Sequence, residues 1–94
     1  MRYNGYPVEY ALIINTRYHG PKVRGAKIVA TYLKTKVSIP YGDPHMGEAA
    51  HHQAARKCLE RVVGELSAND FELIAYGDNS NGGYAFVYRR RDVY

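Results

Sequence analysis

Ala54-Ala55-Arg56-Lys57-Cys58-Leu59-Glu60-Arg61-Val62-Val63-Gly64-Glu65-Leu66 is the stretch that decides the fold class. Ala54, Ala55, Cys58, Leu59, Val62, Val63 and Leu66 recur at three-to-four spacing, while Glu48, His52, Arg56, Lys57, Glu60 and Arg61 fall elsewhere on the wheel. That pattern belongs to a helix with one apolar face and one solvated face. Upstream, Asp43-Pro44 is a start signal. The Asp carboxylate can accept an amide hydrogen bond, and Pro fits the first helical position without losing one. A helix over about residues 43–66 is therefore expected.

On both sides of this helix the apolar residues alternate with a period of two. Residues 8–15 are β-prone on both alternating sets, with Val8, Tyr10, Leu12 and Ile14 against Ala11 and Ile13. Such a strand belongs at the centre of its sheet, covered on at least one face. Gly20-Pro21 forces a turn. A second strand follows over about 23–33, with Ala26, Ile28, Ala30 and Tyr32 on one side and Lys27, Val29 and Thr31 on the other. Val37, Ile39 and Tyr41 alternate with Lys36 and Ser38 in a third, which Pro40 should end. After the helix, residues 71–76 and 84–89 read as a hairpin joined by a glycine- and asparagine-rich loop over 77–83.

The order β-β-β-α-β-β predicts an α+β fold: a single mostly antiparallel sheet with one helix packed on one face. The 94 residues form one domain, with 1–7 and 90–94 expected to fray. A single cysteine, Cys58, excludes an intrachain disulfide and fits a reducing compartment. The longest apolar run, Tyr10-Ala11-Leu12-Ile13-Ile14, falls far short of the ~20 residues of a membrane helix, and the N-terminus carries Arg2, Asn4 and Glu9 where a signal peptide is apolar. A soluble cytoplasmic protein is the expectation.

Charge is the main functional signal. Lys and Arg number 13 against 9 Asp and Glu, a net +4 that favours acidic partners. The turn-rich segment Asn15-Thr16-Arg17-Tyr18-His19-Gly20-Pro21 opens a tract holding Arg17, Lys22, Arg24, Lys27, Lys34 and Lys36, with no carboxylate before Asp43. Arg17, Tyr18, His19, Lys22, Arg24, Lys27, Lys34 and Lys36, with Arg89, Arg90 and Arg91 at the end of the final hairpin, are the candidate binding residues. Ten tyrosines and two phenylalanines accompany them without tryptophan. Tyr18, Tyr32, Tyr41, Tyr76 or Tyr84 could stack on bases, as sheet-borne aromatics do in single-strand binders, while the bland alternative is that they pack the sheet.

Catalytic and metal chemistry find weaker support. His19, His45, His51, His52 and Cys58 are metal-ligand types, and Glu48 and His52 stand four apart on one helix, but the two-histidine helix motif of zinc proteases is missing. Cys58 sits among Ala54, Ala55, Leu59 and Val62, where a thiol acts as a small hydrophobe. Asp78-Asn79-Ser80-Asn81-Gly82 begins like a calcium loop, yet Arg89 occupies the twelfth position, which needs a bidentate Glu. A flexible turn explains it better. No glycine cluster opens a helix in the manner of a phosphate cradle. Neither a catalytic residue, a metal nor a cofactor is assigned.

Asn15-Thr16-Arg17-Tyr18-His19-Gly20-Pro21, Gly25-Ala26-Lys27-Ile28-Val29-Ala30, Val37-Ser38-Ile39-Pro40-Tyr41, His52-Gln53-Ala54-Ala55 and Gly83-Tyr84-Ala85-Phe86-Val87-Tyr88, taken in order, resemble a group of small proteins encoded by bacteriophages, prophages and other mobile elements. The resemblance implies an accessory factor that binds host machinery or blocks a defence system, in the way of anti-CRISPR and anti-restriction inhibitors. The expectation is a non-enzymatic monomer or small homo-oligomer that binds a host protein or nucleoprotein complex through its basic surface and has no membrane partner. Direct nucleic-acid binding is the alternative, with a small metal or thiol enzyme the distant one.

Overall fold

The structure, a computed structural model, describes residues 2–7, 10–20, 25–40 and 47–91. Two short strands, β1 (Arg2–Tyr3) and β2 (Tyr6–Pro7), pair antiparallel. They meet across Asn4-Gly5, whose φ angles of 51° and 82° both lie in the left-handed region that a tight two-residue hairpin turn requires. Segment 2–7, expected to fray, is thus a small hairpin.

The main sheet comprises β3 (Leu12–His19), β4 (Lys27–Tyr32), β5 (Thr35–Pro40), β6 (Phe71–Asp78) and β7 (Tyr84–Arg90). Its spatial order is β5-β4-β3-β7-β6, and every pairing is antiparallel. Helix α1 (Gly47–Val63) and the single-turn α2 (Glu65–Ala68) lie between β5 and β6 in sequence. The α+β architecture expected from the sequence is therefore the one formed, and the strand read as central, β3, occupies the middle of the sheet.

Boundaries differ instructively. β3 starts at Leu12 and runs on through His19, across the segment read as turn-rich. Thr16, Arg17, Tyr18 and His19 pair with Ala30, Val29, Ile28 and Lys27, so a long-range ladder overrides the local turn signal. The second strand begins at Lys27, and Gly25 and Ala26 precede it as irregular chain. Val8, Val23, Tyr41 and the helix-start residues Asp43 and Pro44 lie outside the described residues. At its far end α1 stops at Gly64, whose φ of 95° is out of reach for a continuing helix and whose amide closes onto Glu60 O at 2.8 Å. The chain turns there, so Leu66, expected on the apolar stripe, is 86% exposed, and Ala68 is buried instead.

The core lies between α1 and one face of the sheet. Leu12 and Ile14 of β3, Ile28 and Ala30 of β4, Ile39 of β5, and Phe86 and Tyr88 of β7 meet Ala50, Ala54, Ala55, Cys58 and Leu59 of α1. Alanines dominate the helix side, which lets the helix sit close to large strand residues. Arg56 ties the end together, donating to Ala68 O at 3.1 Å and Asn69 Oδ1 at 3.0 Å. No helix among the described residues is long and apolar enough to cross a membrane.

Candidate functional site

Because strand side chains alternate, the register that buries Ile28, Ile39, Ile14 and Phe86 under α1 sends their neighbours to the opposite, helix-free face. Arg17 aligns there with Val29 and Ser38, His19 with Lys27 and Pro40, and Asn15 with Thr31 and Lys36. Arg17, Lys27 and Lys36 are all exposed. From strand and residue spacing their Cα atoms stand roughly 8–14 Å apart. β3, β4 and β5 carry no Asp or Glu at all. Ile13, 51% exposed, and the partly buried Val87 and Ala85 continue the face as an apolar strip towards β6.

The other candidate residues separate from this group. Arg89 lies on the same face but beyond Tyr88, near the opposite end of the strands, and it donates to Glu72 Oε1 through Nη2 at 2.9 Å and Nε at 3.3 Å. Arg90 pairs in register with Phe71, and the exposed Arg91 bonds its amide to Asp70 O at 2.6 Å. Lys34 occupies the β4–β5 turn, exposed, at the far end of β4 from Lys27. Tyr18 shares the parity of Ile14 and Thr16, on the helix side, and is 44% exposed. Lys22 and Arg24 lie outside the described residues.

Of the tyrosines read as possible base-stackers, Tyr32, Tyr76 and Tyr84 fall with Tyr18 on the helix side, and Tyr41 lies outside the described residues. Tyr76 and Tyr84 sit with Phe86 in one aromatic cluster, Tyr76 stacking on Phe86 at a ring separation of 5.7 Å. Tyr32 packs against the core. His52 stacks on Phe86 at 5.4 Å, and Glu48 accepts the Tyr76 hydroxyl at 2.5 Å. The Glu48–His52 pair is thus spent on packing and on holding β6 to α1. That hydrogen bond to a carboxylate pushes the Tyr76 hydroxyl above its usual range.

At the start of α1 lies an arrangement that the sequence did not reveal. Thr16 Oγ1 and His51 Nδ1 are 2.7 Å apart, both residues buried. The same hydroxyl accepts the Tyr84 amide at 3.2 Å and lies 3.3 Å from the Tyr84 carbonyl. Burial depresses the His51 pKa, so the ring is held neutral. Asn79 completes the seam. Its Oδ1 accepts the amides of Asn81 and Gly83, and its Nδ2 donates to the carbonyls of Thr16 and Tyr84, each at 2.9–3.0 Å. The loop read as flexible is pinned to β3. Gly83 must be glycine, because a Cβ would stand 1.9 Å from Thr16 O. A cavity of about 360 Å³ opens beside this seam, lined by Gly47, Glu48, His51, Asp78, Asn79, Gly82, Gly83 and Tyr84. Thr16, only 2% exposed, has its hydroxyl engaged and is no accessible nucleophile. Among the described residues no group of three or more His, Cys, Asp or Glu is placed to hold a metal ion. Cys58 is fully buried, and burial raises its thiol pKa.

His51 falls four residues before Ala55, beside the apolar stripe, which is the signal the sequence holds for this seam; its partner Thr16 is 35 residues away, and nothing in the spacing links them. Compared with known proteins, the chain matches no family model, no curated protein and no solved structure.

Proposed function

We propose that this chain acts by binding an acidic protein surface through the helix-free face of its sheet, with Arg17, Lys27 and Lys36 as the charged contacts. The observation that carries this reading is their placement on one helix-free face, around the buried Val29, whose strands β3, β4 and β5 hold no carboxylate. Electrostatic complementarity of that kind speeds encounter and selects partners. Apolar Ile13 and Val87 beside the cations suit a protein contact. Nucleic acid is the second reading, since phosphates need only charge. Among the described residues none of the candidate stacking tyrosines lies on the helix-free face, which favours protein. An accessory protein of a phage or mobile element that occupies the working surface of a host defence complex is the setting in which such a face would act.

The test is capture of partners from bacterial lysate by the wild-type chain and by Arg17→Ala/Lys27→Ala/Lys36→Ala, with and without nuclease. A captured protein that survives nuclease and is lost with the triple variant supports the reading. Capture abolished by nuclease, together with a duplex gel shift whose log affinity falls steeply with log salt, transfers the face to nucleic acid. Equal capture by the triple variant removes the face from the mechanism.

A further inference from the structure

A second surface, which shares only Lys36 with the helix-free face, runs along the outer edge of β5. β5 pairs with β4 over all of Thr35–Pro40 and is the terminal strand of the sheet, so its opposite edge has no strand partner among the described residues. At that edge α1 overhangs the strand. A cavity of about 610 Å³ lies between Val37, Ser38 and Ile39 on one wall and Gln53, Lys57 and Arg61 on the other. A second, of about 590 Å³, shares Arg61 and extends to the β4–β5 turn, where it is lined by Tyr32, Leu33 and Val62. Both are lined by Arg61, so together they flank β5 from its turn end to Pro40, a strand of about 20 Å at 3.3 Å per residue, and are called the trough below.

We infer that this trough takes an extended acidic peptide segment of a partner protein, added to β5 as a further antiparallel or parallel strand. Backbone hydrogen bonds to an exposed edge supply affinity in this mode, and alternate side chains supply specificity. Charge identifies the occupant. Side chains of an added strand that point towards the helix meet Lys57 and Arg61, which make no ion pair among the described residues. Those that point to the opposite face meet Lys36, next to Ser38. Of the groove's carboxylates, Glu60 is engaged by Arg56 at 3.5 Å, leaving Glu65 against these cations. Both faces of the incoming strand therefore favour Asp or Glu. The turn end favours an apolar residue: Leu33 is held at a φ of 52°, 85% exposed, beside Val62.

The probe is a fluorescein-labelled pool of decapeptides that alternate Asp or Glu with Val, Ile, Leu or Thr, titrated with the full chain and read by anisotropy. A second pool is N-methylated at alternate residues, and amide exchange is followed by NMR in parallel. Expected are saturable binding of the first pool, loss on N-methylation, slowed exchange confined to β5 amides, and roughly tenfold weaker binding by Lys57→Glu/Arg61→Glu. That double variant alters exposed residues only, and circular dichroism checks its fold. Absence of binding, equal binding of the methylated pool, or protection outside β5 overturns the inference. So does a dimer, detected by sedimentation, that shields the β5 amides without peptide, because the edge then belongs to a second copy of the chain. Arg17→Ala/Lys27→Ala, which leaves the trough intact, is expected to bind the pool as wild type does, so failure here and failure of the helix-free face are read separately.

Discussion

The two faces of the sheet are built from the same strands and behave as different materials. Under α1 the residues are large, apolar and interlocked: Ile14, Ile28, Leu59 and Phe86 are each no more than 1% exposed. On the other side the same strands offer Arg17, Lys27, Lys36 and the half-exposed Ile13. Stability is concentrated on the face under α1, and the recognition proposed above lies on the helix-free one. The difference arises from strand alternation alone, since a shift of one residue in register would exchange the two sets.

The comparison is broken most severely at Leu59. Leu59→Ala should cost about 2–5 kcal/mol in chemical denaturation, because a fully buried leucine on the principal helix leaves a cavity in the single core. Gly83→Ala comes next, at about 2–3 kcal/mol. Its added methyl collides with the backbone of Thr16, and β3 or the loop must move to admit it. A Gly83→Ala protein as stable as wild type would show that the loop does not press on β3 as described.

Tyr88→Phe sharpens the comparison in the opposite direction. Tyr88 is 2% exposed, its hydroxyl has no hydrogen-bond partner among the described residues, and burial pushes its pKa up to about 12. Removing an unsatisfied buried hydroxyl relieves its desolvation penalty, so the variant should gain about 1 kcal/mol. A loss of stability would reveal a partner for that oxygen.

Acid acts on the covered face through His51. Above its ordinary pKa of 6.5 the imidazole is neutral in both the folded and the unfolded chain, and its contribution is fully present. As pH falls below 6.5 the unfolded chain protonates while buried His51 resists, so stability declines towards its depressed folded pKa. Thermal melts between pH 8 and 5 should show this decline, with a shallower slope in His51→Gln. The smallest stability effect belongs to the open face. Arg17→Ala, Lys27→Ala and Lys36→Ala should each cost less than about 0.5 kcal/mol while removing partner capture.

Much of this architecture was legible in the chain. Alternation marked β3 as central, Ala54, Ala55, Cys58 and Leu59 marked the buried stripe, and the final hairpin was read to within two residues at each strand end. Those features depend on neighbours within a turn of helix or a few residues of strand. The carboxylate-free tract of residues 15–41 was equally visible, because charge is a property of composition.

What the sequence left open is what distance in the chain conceals. The extension of β3 through His19 depends on β4 pairing, and the exposure of Leu66 depends on a left-handed Gly64 where periodicity ran on. Thr16, His51, Asn79 and Tyr84 meet only because α1 crosses the β3–β7 pair, which joins residues up to 68 positions apart. Local pattern determined the main helix, the strands of the five-stranded sheet and most of the residues they bury. Tertiary packing alone decided which cations share a face, which are neutralised as Arg89 is by Glu72, and where an open strand edge faces a helix, because each of these is set by long-range register and helix placement.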